Sequence, residues 1–483
     1  MFWFCNWCPW FNPGMNNVHP HLQQTLERQR HAYLQSPVPT LRQRRQDLQT
    51  LRRFVLDHRQ ALAEAVSLDY GHRSWHETEL TEILPVLKDI DHALKHLSRW
   101  MRVQPRAVDR LAFGLARNRV VPQPLGVVGV IVPWNFPINL SFLPLVAIFA
   151  AGNRAMVKMS ENSRHLAALL IDKMPAYFAP EKLQFLDETG GVGVAFSKLP
   201  FDHLLFTGST QTGRSVMQAA AQNLCPVTLE LGGRSPAIVC DDFDLHTAAQ
   251  RILYVKYLNA GQICTTVDHV YVPRNRVQDF VRLAQRLVPQ RYADLNSPDL
   301  SSIINVQAYA RLTAALDEAA ALGATVVPLL PGATRDDAAH RLAPHVVLNA
   351  PANCALMQRE IFGPILPVIP YDNLDEVVTQ MQQAPRPLAF YPFSHDRRKV
   401  QHLLERVMSG GVSVNDALFH VGQTDLPFGG VGASGMGHYH GREGFETFSK
   451  LRPVFHQSRW STLGLLYPPY GKTIETLLKF LAR

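Results

Sequence analysis

Apolar residues recur at helical spacing twice near the front of the chain. The first series is Leu41, Leu48, Leu51, Val55, Leu62 and Val66; the second is Ile83, Leu87, Ile90, Leu94, Leu97 and Met101. Each gathers its apolar side chains on one stripe and predicts a long amphipathic helix. From about Leu125 the pattern changes. Short apolar runs, "LGVVGVIVP", "RAMVKM", "KLQFLDE", "DHLLFTGS" and "VTLELGG", alternate with helical stretches. Strands that are apolar on both faces belong to parallel sheets covered by helices. A second alternation runs from about Ser235 to Val414, through "PAIVC", "HVYVP", "ATVVPLL", "ILPVIPY", "LAFYPFS" and "GGVSVN". The pattern predicts an α/β protein with two parallel-sheet lobes and no repeat or low-complexity linker between them. The closing "TIETLLKFLAR" predicts a short amphipathic helix with a basic end, docked on the protein.

Composition narrows the class. The 483 residues are 46% apolar and 18% charged, which fits a globular protein with a large core and excludes a disordered one. The net charge is +8, but the basic residues are scattered in small knots such as Arg42-Gln-Arg-Arg45 on a helix face. That reads as a solvated face, so no nucleic-acid partner is expected. Six cysteines without framework spacing point to a reducing compartment, the cytoplasm. Cys5 and Cys8 form a CxxC without a second pair or a ligand histidine, so no metal is expected. The opening "MFWFCNWCPWFNPGM" lacks a basic n-region and a cleavage site, and is too short to span a bilayer. Residues 1–17 are expected to be a disordered extension, or Met15 to be the true start, and no transmembrane segment is expected.

Several stretches carry chemistry. In "YLNAGQICTTVDH", Cys264 follows an Asn-Ala-Gly-Gln turn. It is either a nucleophile or a small hydrophobe in the core, and only a base and an oxyanion hole elsewhere can decide. In "VPWNFPINL", two prolines stiffen a turn that presents Asn135. A fixed amide suits an oxyanion-hole donor, whose loss costs about 3 kcal/mol of barrier; the alternative is an asparagine capping the next helix. In "VTLELGGRSP", Glu230 ends an apolar strand, where desolvation raises a carboxylate's pKa and suits it to act as a general base; the alternative is an ion pair with Arg234. "GSTQTGRS" approaches a P-loop, but Arg214 stands where the lysine belongs and no Walker B strand follows. Its small residues and helix start suit a dinucleotide pyrophosphate better, against a plain strand–helix turn. "MVKMSE" places Lys158, Ser160 and Glu161 at a strand end, where they can hold ribose hydroxyls. "REIFGPILPV" offers Glu360 and Phe362 before a turn. "GGVGVAF" fails as a dinucleotide fingerprint, because its third glycine is missing.

Taken together, "PWNFP", "MVKMSE", "FTGST", "ELGGRSP", "NAGQIC", "EIFGP" and "LPFGGVGASGMG", in this order between about residues 40 and 456, resemble the NAD(P)-dependent aldehyde dehydrogenase superfamily. "LPFDHLLFTGST", the glycine-rich stretch through "FSKLRPV" and the "YPPYG" tail resemble its class 3 branch and, within that branch, the bacterial coniferyl aldehyde dehydrogenases. The resemblance implies that Cys264 is the nucleophile, Glu230 the general base, and Asn135 with the Cys264 backbone N–H the oxyanion hole. It implies a cofactor site of Pro133, Trp134, Lys158, Ser160, Glu161, Gly208, Ser209, Leu231, Gly232, Glu360 and Phe362. NAD is the expected cofactor, with NADP usable, because Glu161 repels a 2′-phosphate. Met159, Arg234, Ile263 and Arg359 depart from the common pattern and bear on cofactor affinity, not on reaction type.

The resemblance further implies two Rossmann-like lobes and a small β arm. Residues 18–105 and 125–229 would bind cofactor, 230–435 would carry catalysis, 106–124 and 436–456 would form the arm, and 457–483 a tail. A homodimer follows. The expected reaction is oxidation of an aldehyde to its acid, with an aromatic aldehyde of the coniferaldehyde type as substrate and a medium-chain aliphatic aldehyde as the alternative. Candidate pocket walls are Phe142, Tyr257, Phe419 and Tyr439. A CoA-acylating relative usually lacks the base that Glu230 supplies. A non-catalytic binding protein has no reason to keep Cys264, Glu230 and Asn135 together.

Overall fold

The computed structural model describes residues 19–459 and 467–482; Cys5, Cys8 and Met15 lie outside the described residues. Two sheets organise the chain. In the first, the strands run in the order Gly435–Met436, Val227–Glu230, His203–Thr207, Val127–Ile131, Arg154–Lys158 and Leu183–Leu186, parallel except for the first pair. The chain enters at Val127–Ile131, builds outward one way, then returns to the other side at His203–Thr207. This reversal of strand order opens a crevice at the carboxyl ends of the central strands. The second sheet has the order Thr325–Pro328, His345–Leu348, Ile365–Tyr371, His269–Pro273, Pro236–Val239, Ala389–Phe393 and Gly411–Val412, with only its first pair antiparallel. Both sheets bury their central strands completely, as the continuous apolar runs require.

A third, antiparallel sheet joins Gln104–Arg106, Arg117–Pro124 and Ser449–His456 into a small arm. "FETFSKLRPVF" is only partly strand: Gly441–Thr447 is helical, and the strand begins at Ser449.

The front helices pack on Asn139–Ala151, a helix apolar on every side and buried from Leu140 onward. The first apolar series is not one helix. It divides into Leu41–Asp57 and Arg59–Tyr70 at His58 (φ −112°, ψ 13°). A one-residue kink leaves the apolar spacing intact, so periodicity cannot register it. The second series forms Leu84–Trp100, preceded by a π-helical turn at Glu79–Ile83. The helix Pro20–Gln35 has no strong apolar stripe; it buries Thr25 and Gln29 beside Leu22 and Leu26. The C-terminal helix spans Lys472–Leu481. Among the described residues, no helix is long and apolar enough to cross a membrane.

Candidate active site

Cys264 sits behind a strained turn. Asn259 (φ 49°), Ala260 (φ 49°) and Gly261 (φ 73°) are left-handed in succession, a conformation that costs side-chain-bearing residues free energy. The sequence explains how it is held. The Asn259 backbone N–H donates to Glu77 (3.0 Å), and its amide donates to the Tyr70 hydroxyl (3.1 Å) and the Gln262 carbonyl (3.2 Å). Gln262 donates to the carbonyls of Asn259 (3.1 Å) and Ser302 (3.0 Å) and accepts from Ile304 N–H (3.0 Å). A Cβ at Gly261 would lie 2.3 Å from the Gly363 carbonyl, so only glycine admits the "EIFGP" loop here. Asn259, Gly261 and Gln262 thus fix the backbone that presents the thiol. Burial pushes the Cys264 thiol up to about 12, with the Glu360 and Glu230 carboxylates adding to the shift.

Asn135 does not cap a helix. The helix Asn139–Ala151 has no side-chain cap; the Glu82 carboxylate instead accepts from Ile138 N–H (2.7 Å) and Asn139 N–H (3.2 Å). Glu82 also pairs with Arg73 (2.7 Å), both side chains fully buried. Arg73 donates in turn to the Asn135 carbonyl (3.1 Å), which accepts from the Tyr70 hydroxyl as well (2.8 Å). The buried Asn135 amide donates to the Gln262 carbonyl (3.3 Å), which ties the Pro-bracketed turn to the Cys264 loop.

Glu230 does not pair with Arg234. Arg234 bonds Asp268 (2.9 Å), which also accepts from Ile361 N–H (3.0 Å) and contacts His269 (3.1 Å). Burial alone would raise Asp268, but His269, Arg234 and Lys256 outweigh it and hold the carboxyl down to about 2. Glu230 is 2% exposed, and neither carboxylate oxygen has a hydrogen-bond partner among the described residues. Burial therefore raises its pKa well above the ordinary value. An unpartnered carboxylate held in the interior is poised to take a proton. Glu360 is raised to about 8, by burial first and then by the Asp268 charge; it lies over Gly232, where a Cβ would fall 2.1 Å from its carboxylate.

The sheet crevice is a cleft of about 570 Å³. Pro133, Trp134, Lys158, Ser160, Glu161, Gly208 and Ser209 all line it. At Gly208 a Cβ would lie 2.6 Å from the Phe206 ring. Ser209 caps the helix Thr210–Ala221 by accepting from Thr212 N–H (3.2 Å), so that helix opens at the cleft. Lys158 contacts Glu188, which also accepts from Gly193 N–H. Leu231 packs against Gly213 beneath the cleft, and Phe362 (φ 50°) meets Trp134 edge-to-face (5.5 Å, 80°).

Beyond the turn lies a second cavity of about 260 Å³ that includes Cys264. Its walls are apolar, with Phe136, Leu140, Leu143, Phe419 and Phe428 prominent, and it takes in Tyr439. Phe142 and Tyr257 are not pocket walls. Phe142 is buried between Phe54 and Phe185, and the buried Tyr257 donates its hydroxyl to the His345 carbonyl (3.1 Å). The sequence reading missed Glu188, Glu82, Arg73, Tyr70 and Asp268. Glu188 carried a signal, two residues past the end of a strand whose neighbours supply the cleft; the others carried none.

The aldehyde dehydrogenase family model matches residues 22–454. A probable coniferyl aldehyde dehydrogenase of Pseudomonas aeruginosa is 49% identical over 458 residues, covering 95% of both chains. The coniferyl aldehyde dehydrogenase of Pseudomonas sp. HR199 is 42% identical over 475 residues, 97% of this chain and 98% of that one. The substrate-bound structure of Staphylococcus aureus AldH superposes with a TM-score of 0.90 at 32% identity, over 95% of this chain and 99% of the other. The chain belongs to the aldehyde dehydrogenase family, whose reaction is the NAD(P)+-dependent oxidation of an aldehyde to its acid.

Proposed function

We propose that this enzyme oxidises an aromatic aldehyde of the coniferaldehyde type through a thioester on Cys264. The observation that carries the reading is three groups tied to one loop: a thiol lining an apolar pocket, an amide bonded to the Gln262 carbonyl just before it, and a buried carboxylate, without a hydrogen-bond partner among the described residues, whose charge acts on that thiol. The Cys264 thiol gives its proton to the Glu230 carboxylate, which passes it to solvent, as the sulfur adds to the aldehyde carbon; the Asn135 amide with the Cys264 N–H stabilises the oxyanion. The cofactor, when bound, supplies the hydride acceptor. Glu230 then removes a proton from water, the oxygen attacks the thioester, and the acid leaves as the Cys264 thiolate is released.

The cleft residues fit a dinucleotide. Small residues at a helix start suit a pyrophosphate, and Lys158, Ser160 and Glu161 suit ribose hydroxyls. Leu231, Gly232, Glu360 and Phe362 would hold the nicotinamide end. Glu161 favours NAD over NADP; a higher catalytic efficiency with NADP would contradict that. The aromatic substrate is supported by the aromatic pocket walls and by the relatives named for coniferyl aldehyde. The apolar lining also accommodates a medium-chain aliphatic aldehyde, the second reading. The free cysteines fit the reducing cytoplasm. The exposed arm fits a homodimer, and a monomer by light scattering at working concentration would exclude it. The test is cofactor reduction with coniferaldehyde and benzaldehyde against hexanal and octanal, with Cys264→Ala alongside. Preference for coniferaldehyde, lost in the variant, is expected. Preference for the aliphatic aldehydes would overturn the substrate and keep the chemistry.

A further inference from the structure

Glu230 has a neighbour in the same condition. Tyr439 is fully buried, lines the Cys264 pocket, and its hydroxyl has no hydrogen-bond partner among the described residues. The first sheet brings the two together. Gly435 pairs opposite Glu230 in the antiparallel edge. The chain then passes over Thr228 at Gly437, where a Cβ would lie 2.9 Å from the Thr228 hydroxyl. It returns at Tyr439, whose backbone N–H and carbonyl both bond Phe428 (2.8 Å each). The Tyr439 ring is held edge-on by Phe428 (5.9 Å, 89°) and His440 (4.6 Å, 80°). His440 has φ 93°, a conformation rare for a residue with a side chain and typical of backbone held under strain beside a site. Burial, then Glu230, Cys264 and Asp89, raise the phenol, so it stays a protonated donor.

A buried donor on the wall of the Cys264 pocket and a buried acceptor on the strand beside it, each without a hydrogen-bond partner among the described residues, call for a water between them. We propose that the Tyr439 hydroxyl donates a hydrogen bond to the water that Glu230 activates, which makes Tyr439 a catalytic residue of thioester hydrolysis. This rests on the thioester chemistry proposed above. One water O–H bond breaks and its proton passes to Glu230. The oxygen bonds the acyl carbon, and the carbon–sulfur bond breaks with its electron pair going to Cys264. Tyr439 keeps its own proton and orients the oxygen lone pair.

The test is Tyr439→Phe, which keeps the ring. In stopped flow with NAD+ and the preferred aldehyde, the first turnover should run at the wild-type rate as a stoichiometric burst. Steady turnover should fall about 10- to 100-fold. With 4-nitrophenyl acetate, which acylates the thiol without cofactor, the nitrophenolate burst should persist and the slow phase should fall equally. Undiminished steady turnover, or a first turnover slowed as much as the steady rate, would overturn the assignment. If Tyr439→Phe does not fold, Tyr439→Leu is read in the same way. Wild-type turnover that survives Cys264→Ala would overturn the thioester reading itself, and this one with it.

Discussion

Replacing Glu230 with glutamine should sharply reduce turnover and, as the pH rises, increasingly stabilise the fold. The folded protein holds this carboxyl in the interior without a hydrogen-bond partner among the described residues, and burial raises its pKa well above 4.5. Above pH 4.5 the unfolded chain has lost the proton that the folded chain still binds. Wild-type stability therefore falls by about 1.4 kcal/mol per pH unit on this account, until the folded pKa is passed. Glutamine does not titrate, so the difference between variant and wild type widens over that window. For a chain of this size the widening is roughly 1–2 °C in apparent melting temperature per pH unit. Thermal scans at one fixed rate from pH 5 to 8 read it, and every other titrating group cancels in the difference. The amide's own unmet hydrogen bonds add an offset that does not depend on pH. Turnover should drop about 10²- to 10⁴-fold. A difference that stays flat, or narrows with pH, would refute the reasoning, because the carboxylate would then have a partner that stabilises its charge.

Three further outcomes are expected. Glu82→Ala leaves the Arg73 guanidinium buried and unpaired and frees two backbone N–H groups; it should cost about 3–5 kcal/mol in denaturant unfolding. Glu82→Gln should cost less and lower kcat through the loosened Asn135 turn, with the aldehyde KM unchanged. The thiol pushed to about 12 from 9.0 has roughly a thousandfold less thiolate than an ordinary cysteine, so iodoacetamide should alkylate Cys264 slowly at pH 7 and about tenfold faster per pH unit above it, read by peptide mass. Gly208→Ala drives a Cβ toward the Phe206 ring and should raise the cofactor KM about tenfold while sparing the 4-nitrophenyl acetate burst.

The cleft residues were legible because each stands at the carboxyl end of an apolar run, and strand ends are where this architecture places ligands. Cys264, Asn135 and Glu230 were legible as residues of open role; geometry removed the capping and ion-pair alternatives by giving those tasks to Glu82 and Asp268. Pocket walls were not legible. Phe142 lies on a helix that is apolar all round, so no period says which face meets the pocket and which the core. Arg73 and Glu82 escaped notice because a buried ion pair across a helix break has no sequence spacing of its own. Nothing in the sequence distinguishes Tyr439 from the other candidate walls; its hydroxyl without a hydrogen-bond partner among the described residues emerges only from the folded chain.

The most direct measurement is the mass of the Cys264 peptide after enzyme, NAD+ and coniferaldehyde are mixed and quenched in acid within one turnover, with Glu230→Gln used to accumulate the intermediate. The account predicts the acyl group on Cys264, increased in Glu230→Gln and absent from the peptides of Cys225, Cys240 and Cys354. Turnover without an adduct on Cys264, or with the adduct on another residue, would contradict it.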